Sequence, residues 1–215
     1  VGEVKGVVLE MLGPLGGASA IDRSKGFHSV IDKYSGVKIL QAVGEFQEAP
    51  AKKEVEAMLQ VTPDIDAVYS ANGPMAVGAV EAMKSLGIDP EKVFIATMDA
   101  NPEVLDRIRS GDIEVCLDQP CPYYNPIAVY FMEKYLREGP SALPKEGDVI
   151  TDADLKLSTG VEHLGSDIWA NDSAWSPAKI TKQNGHLWFQ TNAIIVTKEN
   201  ADAGYLWANA KMPGW

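Results

Sequence analysis

Short apolar runs alternate with stretches of helical periodicity from residue 4 to about residue 138 of the sequence. The apolar runs are continuous and rich in Val, Ile and Leu, which is typical of strands buried on both faces of a parallel sheet. After each run, apolar residues recur at intervals of three and four, as Phe27, Val30, Ile31 and Tyr34 do in the first case. The pattern therefore predicts strands and helices in strict alternation.

Five strand-helix units can be counted along this part of the chain. The predicted strands are "VKGVVLEML", "VKILQAV", "DAVYSA", "KVFIATM" and "DIEVCLDQ". Helix ends are marked by Pro74 and Pro102 in first turns, by Asn101 as an N-cap and by Gly111 just past a C-terminus. Five such units predict an α/β fold with a doubly wound parallel sheet in flavodoxin-like order.

The periodicity fails between residues 139 and 187, which are polar, rich in turn residues and contain Trp169 and Trp175. We interpret this part as a long irregular excursion that has too many tryptophans to be a disordered linker. Regularity returns with "NAIIVT", a predicted strand, and "KENADAGYLWANA", a predicted closing helix.

Composition excludes several classes of function. The 215 residues carry a formal net charge of -11, which argues against a nucleic-acid partner, because such proteins concentrate Lys and Arg on one face. The three histidines have no metal-ligand spacing, and "GPLGGASA" lacks the pattern of a nucleotide-binding loop, so neither metal nor cofactor is expected. In an extended "CLDQPC", Cys116 and Cys121 are too far apart for a disulfide unless Pro120 turns the chain.

Polar and aromatic residues follow the predicted strands at the edge where parallel sheets bind ligands. They are Arg23 at the start of the first helix, Glu45 and Phe46 after the second strand, Asn72 after the third, Asp99 after the fourth and Gln119 after the fifth. This set suits a neutral polyhydroxylated molecule. The carboxylate can accept hydrogen bonds from two adjacent hydroxyls, the guanidinium can donate to hydroxyl oxygens, and the aromatic ring can stack on the C–H face of a sugar. The set predicts a sugar site.

Each residue of this set also has a purely structural interpretation. Asn72 is a suitable cap for the helix that begins near Pro74, and Asp99 for the turn into "NPEV". Arg23 has Asp22 and Asp32 nearby in sequence as ion-pair partners. Phe46 could serve only to pack its own loop, and Gln119 could simply mark the end of a strand.

Four stretches carry a family resemblance: "GPLGGASAIDRSKGFHSVI", "PDIDAVYSANGPMAVGAVEAMKSLG", "VFIATMDANPEVLDRIRSGDIEVCLDQP" and "NAIIVTKENAD". Their residues, order and spacing resemble those of the type I periplasmic sugar-binding proteins of ABC transporters, the ribose- and galactose-binding type. The resemblance implies two doubly wound lobes joined by three crossings, with the sugar held between them.

The resemblance also implies roles for the residues at the sheet edge. Arg23, Asn72 and Asp99 match hydrogen-bonding residues of the second lobe, Phe46 its stacking aromatic, and Gln119 a residue at a hinge crossing. Two departures from the family pattern fall here. Gly73 follows Asn72 where family members usually have Asp, and Met98 precedes Asp99 where they have an aromatic residue or glycine. Glu45 and Met98 are the less specific candidates for the site.

By this resemblance the chain is mainly a second lobe, and the first lobe is largely missing. Residues 1–119 would form the second lobe, residues 120–187 a hinge crossing, a helix and the excursion, partly belonging to the other lobe, and residues 188–215 a closing strand and helix. The site would then have one wall, so we expect weak or no sugar binding by these 215 residues alone. Tyr124, Ile127 and Phe131 would be exposed, which makes self-association a possible property.

These observations favour a solute-binding component of an ABC importer that binds a sugar or polyol without converting it. Its partners would be the sugar and a membrane permease. It would be periplasmic, or extracellular and lipid-anchored, with the export signal outside this sequence. The alternative is the effector-binding core of a sugar-responsive transcription regulator. A third possibility, an α/β enzyme, would need Asp99 or Glu45 as its acid or base.

Overall fold

The computed structural model describes residues 4–151, 154–155 and 175–209. These residues divide into two compact units. The first unit lies within Val1–Leu117 and Ile195–Asp202, and the second within Asp118–Ile194 and Ala203–Trp215. The predicted assignment of residues 1–119, 120–187 and 188–215 to lobes and a hinge stays a prediction. No helix in the described ranges is both long and apolar enough to cross a membrane.

A six-stranded sheet forms the centre of the first unit. Its strands are β1 (Lys5–Leu12), β2 (Gly36–Val43), β3 (Ala67–Ser70), β4 (Phe94–Met98), β5 (Val115–Asp118) and β9 (Ile194–Val196), in the spatial order β2-β1-β3-β4-β5-β9. The pairs among the first five strands are all parallel. The flavodoxin-like order expected from the apolar runs is confirmed.

Four helices connect these strands: α1 (Ala18–Ile31), α2 (Glu48–Val61), α3 (Gly73–Ser85) and α4 (Pro102–Ser110). The predicted ends of α4 are confirmed, because the Asn101 side chain accepts a hydrogen bond from the Val104 amide and Gly111 has a left-handed φ of 91°. The predicted buried side of α3 is confirmed as well, since Val77, Val80 and Met83 are buried.

The second unit contains α5 (Cys121–Glu138) and a three-stranded antiparallel sheet of β6 (Val149–Ile150), β7 (Ala178–Gln183) and β8 (His186–Gln190). Its core includes Tyr123, Ile127, Leu155, Trp175 and Ala178. Ile127 is 4% exposed and Phe131 packs against this core, so the expected exposure of these two side chains was wrong, whereas Tyr124 is exposed.

The hairpin of β7 and β8 corrects the prediction of an irregular excursion from 139 to 187. Its turn, Asn184-Gly185, has positive φ at both residues, 50° and 83°, which matches the two-residue turn preferred between antiparallel strands. The signal was present in the sequence as Asn-Gly between "AKITKQ" and "HLWFQ". Trp169 lies outside the described residues.

The predicted closing helix in "KENADAGYLWANA" was also wrong. Residues 197–206 form turns, and one turn of 3-10 helix follows at Trp207–Asn209. Asn200 accepts a hydrogen bond from the Thr197 amide through its side chain and donates to the Ile195 carbonyl. Such side-chain bonds to nearby backbone groups compete with helix formation.

Candidate functional site

Arg23 lies in the second turn of α1 and forms an ion pair with Asp99, which follows β4. The Arg23 Nη1 atom is 2.9 Å from Asp99 Oδ2 and the Nη2 atom is 3.4 Å from Oδ1. Nη1 also donates to the Ala71 carbonyl at 2.5 Å. The two side chains are 18% and 20% exposed, so the fork-like pair can be reached from solvent.

The backbone around Asp99 is tightly constrained. Asp99 has a φ of 68°, and its amide donates to the Leu117 carbonyl at 3.0 Å. A Cβ on Gly73 would lie 2.6 Å from the Asp99 carbonyl oxygen. Glycine is therefore required at this position of α3 for the loop after β4 to approach so closely.

Phe46 places its ring beside the Arg23 guanidinium. The Arg23 Cζ atom lies 5.6 Å from the ring centroid, within cation–π range. On another side, a Cβ on Gly13 would lie only 2.3 Å from two ring atoms. Gly13, directly after β1, thus provides the space that the ring occupies.

Backbone strain is concentrated at this edge of the sheet. Among the described residues, four other than glycine have positive φ, and three of them, Glu45 (55°), Phe46 (59°) and Asp99 (68°), follow β2 or β4. Left-handed conformations of such residues cost about 1–3 kcal/mol each and cluster at ligand sites. The strain supports a functional role for these loops.

Asn72 connects two parts of the same edge. Its Oδ1 atom accepts a hydrogen bond from the Met75 amide at 3.1 Å, which caps α3, and its Nδ2 atom donates to the Phe46 carbonyl at 3.1 Å. The residue is 8% exposed. The capping interpretation is confirmed, and the predicted contact of the Asn72 amide with a sugar stays a prediction.

Comparison with known proteins identifies the family to which this chain belongs. The family model described as "Periplasmic binding protein domain" matches residues 2–140. The chain belongs to the periplasmic binding protein family. A curated relative, the D-apiose import binding protein of Actinobacillus succinogenes, is 32% identical over 162 residues, which cover 74% of this chain and 51% of that protein.

Other members of the family give the same result. The galactofuranose-binding protein of Escherichia coli is 29% identical over 61% of this chain and 43% of its own. The periplasmic binding protein component of the arabinose ABC transporter from Shewanella, solved with bound L-arabinofuranose, aligns with a TM-score of 0.66 and 25% identity over 94% of this chain and 53% of that one. The chain spans about half the length of the curated relatives it matches.

In this periplasmic binding protein unit, four of the predicted residues come together: Arg23, Phe46, Asn72 and Asp99. Glu45 is exposed. Met98 lines a mainly apolar cleft of about 590 Å³, which Arg23 also lines together with Phe27, Tyr69 and Leu117. Gln119 belongs to the second unit, where its side chain accepts a hydrogen bond from the Tyr124 hydroxyl at 3.0 Å.

One of the structural alternatives was wrong. Arg23 pairs with Asp99 and not with Asp22 or Asp32, which lie near Lys25 and His28 respectively. The Asp99 carboxylate faces Arg23, and the cap of α4 is supplied by Asn101.

Sequence reasoning missed three contributors to the site. "GPLGGASA" was considered only as a nucleotide-binding loop, although its Gly13 makes room for Phe46. The Tyr69 hydroxyl donates to the Arg23 carbonyl at 3.2 Å, and its position on β3 was the available signal. The Ala71 carbonyl had no signal, because a backbone acceptor is invisible in a sequence.

The site presents a cation, a carboxylate and a ring face within one small region. The guanidinium can donate hydrogen bonds to ligand hydroxyls and the carboxylate can accept them, while the net charge of the pair stays zero. The ring can stack on the C–H face of a sugar. Among the described residues there is no cluster of His, Cys, Asp and Glu that could hold a metal ion. The geometry suits recognition of a neutral polar molecule.

Proposed function

We propose that this chain is part of a solute-binding protein of an ABC importer, which binds a sugar or polyol and releases it unchanged. The observation that carries the proposal is the Arg23–Asp99 fork beside the Phe46 ring. Hydroxyl recognition needs donors and acceptors at fixed positions, and a sugar ring needs an apolar surface. The second hydrogen on Asn72 Nδ2 would be one more donor for a sugar hydroxyl.

The printed names of the relatives support a sugar ligand and narrow the first choices. Three of those proteins are described with five-membered sugar rings: galactofuranose, L-arabinofuranose and β-D-fucofuranose. D-allose and myo-inositol occur with others. Furanose-forming sugars therefore come first in a ligand panel, followed by hexopyranoses and cyclic polyols.

The family also supports a place and a partner for this protein. We infer a periplasmic location and a membrane permease as the protein that receives the sugar. The first unit would be one of two lobes that close on the ligand, with Gln119 at a crossing between them. The names of the relatives support import over gene regulation, since they are import binding proteins.

Calorimetric titration of the panel tests the proposal. The titration is performed with the 215-residue chain. If the natural protein is longer, the titration is repeated with the longer protein, which we expect to bind more tightly. Asp99→Asn keeps the size of the side chain but removes the charge that pairs with Arg23. We expect this variant to lose about tenfold or more in affinity, the equivalent of one charge-assisted hydrogen bond.

Asp202→Asn is the matched control, because Asp202 is 86% exposed and pairs with Arg109 away from the site. Its affinity should stay within about twofold of the unaltered chain, as for surface changes. Equal affinity of the two variants would contradict the site. No heat of binding with any sugar or polyol, in the longer protein as well as in the 215-residue chain, would contradict the function.

A further inference from the structure

A buried carboxylate lies beneath α1, outside the site described above. Glu10 in β1 is 0% exposed. Its Oε2 atom accepts a hydrogen bond from Gln41 Nε2 at 2.7 Å and lies 3.0 Å from His28 Nε2. Its Oε1 atom has no hydrogen-bond partner within the described ranges. An ionised carboxylate in such a place is costly unless a positive charge compensates it.

His28 in α1 has a carboxylate at each ring nitrogen. Nε2 faces Glu10, and Nδ1 lies 2.8 Å from Asp32 Oδ1. A neutral imidazole has a single N–H and can donate to only one of two ionised carboxylates, whereas an imidazolium donates to both. The geometry is therefore that of a protonated histidine between two acidic side chains.

The surroundings strengthen this assignment. The hydrogen bond to Asp32 raises the pKa of His28, burial opposes it, and Glu10 raises the pKa further. Two neutral groups lie beside the ring: Gln41 from β2, whose Nε2 is 3.5 Å from His28 Nε2 and donates to Glu10, and Phe27, whose ring meets the His28 ring edge-on at 5.4 Å. On β3, burial raises the pKa of Tyr69, so its phenol stays neutral when a histidine titrates.

Helix α1 depends on polar contacts to an unusual degree. Ala20 is its one buried residue. The N-terminal half is held by the Arg23–Asp99 pair and by the Tyr69 hydroxyl on the Arg23 carbonyl. In the C-terminal half, the contact between His28 and Glu10 and the stacking of Phe27 on Tyr69 at 4.6 Å link the helix to the sheet.

We propose that protonated His28 is a pH-dependent anchor, which holds the C-terminal half of α1 on β1 and β2 through Glu10. When the ring gives its proton to solvent at higher pH, one of the two carboxylate contacts loses its donor. The buried Glu10 then loses the positive charge that compensates its own, and this half of α1 loosens. The Arg23 end stays fixed by Asp99, so the helix frays from its C-terminus.

The sign of the effect follows from the raised pKa of the folded state. The stabilisation is complete below the ordinary value of 6.5 and is lost as the pH rises through the higher folded value. A group that titrates in this range responds to pH changes near neutrality.

NMR titration of the His28 ring in the full chain tests the anchor directly. His28→Gln identifies the resonance by its disappearance. We expect a folded-state pKa above 6.5, with both ring nitrogens protonated at pH 5.5. Asp32→Asn, at a side chain that is 59% exposed, should fold normally and lower this pKa. A His28 that titrates at or below 6.5, or is unaffected by Asp32→Asn, overturns the proposal.

Hydrogen exchange measures the consequence for α1. Protection of its C-terminal amides, corrected for intrinsic rates, should fall between pH 5.5 and pH 8.5 in the unaltered chain, while α3 stays unchanged. In His28→Gln the same amides should have low protection that does not vary with pH. The melting temperature of the unaltered chain should exceed that of His28→Gln by about 2–4 °C at pH 5.5 and approach it at pH 8.5. A constant difference at both pH values would contradict the anchor.

Discussion

Helix α3 buries nine of its 13 residues, whereas α1, with 14 residues, buries only Ala20. Burial of apolar side chains holds α3 in place, since these side chains leave water together. Charged and polar side chains, Arg23 and His28 above all, connect α1 to the sheet. Two helices of similar length in one unit are therefore held by different interactions. Of the two, only α1 is held by a contact that depends on the protonation of a histidine.

The difference concerns function because Arg23 lies on α1. A helix fixed by burial has one packed position, since interiors are close to solid in density. A helix fixed by a few hydrogen bonds shifts at lower cost, because each contributes only about 1 kcal/mol net. The candidate site thus combines residues next to the rigid α3 with one residue on the more weakly held α1.

A Val→Ala substitution made once in α3 and once in α1 gives the strongest test of the difference between the two helices. Val80→Ala in α3 removes two buried methyl groups at a side chain that is 0% exposed. We expect the free energy of unfolding to fall by about 2–3 kcal/mol, the sum of lost transfer energy and a residual cavity. Denaturant titration monitored by circular dichroism measures it.

Val30→Ala in α1 is the matched control, because Val30 is 55% exposed. Its unfolding free energy should change by less than about 0.5 kcal/mol. Similar losses in the two variants would show that α1 is buried to the same extent as α3.

A smaller effect is expected at the polar end of α3, where Lys84 pairs with Asp112. Burial alone would raise the pKa of Asp112, but hydrogen bonds from Lys84, Ser110 and Arg107 outweigh it and lower the pKa below 3.8. The contact therefore stabilises the fold above pH 3.8 and is lost as the pH falls through the lower folded value. The pH dependence is opposite to that of His28.

Asp112→Asn should reduce the unfolding free energy by about 1–2 kcal/mol at pH 7, as expected for partly exposed charge-assisted bonds. The loss should shrink toward zero in acid below that lowered pKa. Asp106→Asn, at a side chain that is 74% exposed, is the control. A loss at Asp112 that is the same in acid and at pH 7 would refute the assignment.

The smallest expected effect concerns the cap of α3. Asn72→Ala removes the acceptor of the Met75 amide and should lower the unfolding free energy by about 1 kcal/mol. Asn72→Ser keeps a capping oxygen and should retain most of the stability, but not the bond to the Phe46 carbonyl. If serine and alanine are equally destabilising, the cap is not the reason for the loss.

Local rules predicted most of the first unit, because its signals lie within a few residues of each other. Asn101, Pro102 and Gly111 marked the ends of α4 correctly. The rule for carboxyl ends of strands brought Arg23 and Asp99 into one set although they are 76 residues apart. Their direct pairing was not predicted, since nearer acidic residues such as Asp22 were equally suitable by spacing.

The second unit was predicted less well for reasons that are also physical. Asn184-Gly185 was a usable turn signal for the hairpin of β7 and β8, but buried and exposed residues alternate only in the first half of β7 and not in β8. The segment after β9 has helix-forming residues, yet Thr197 and Asn200 bond to nearby backbone groups and form turns. In the second case, local side-chain bonds to the backbone override helix propensity.

The Asn72 side chain, which bonds both the Met75 amide and the Phe46 carbonyl, has a mechanical consequence. It ties the loop that carries the Phe46 ring to the N-terminus of α3. Arg23 belongs to the other, more compliant helix. A shift of α1 toward or away from the Phe46 ring therefore changes the 5.6 Å distance between the guanidinium carbon and the ring centroid, and the width of the site depends on how firmly α1 is held.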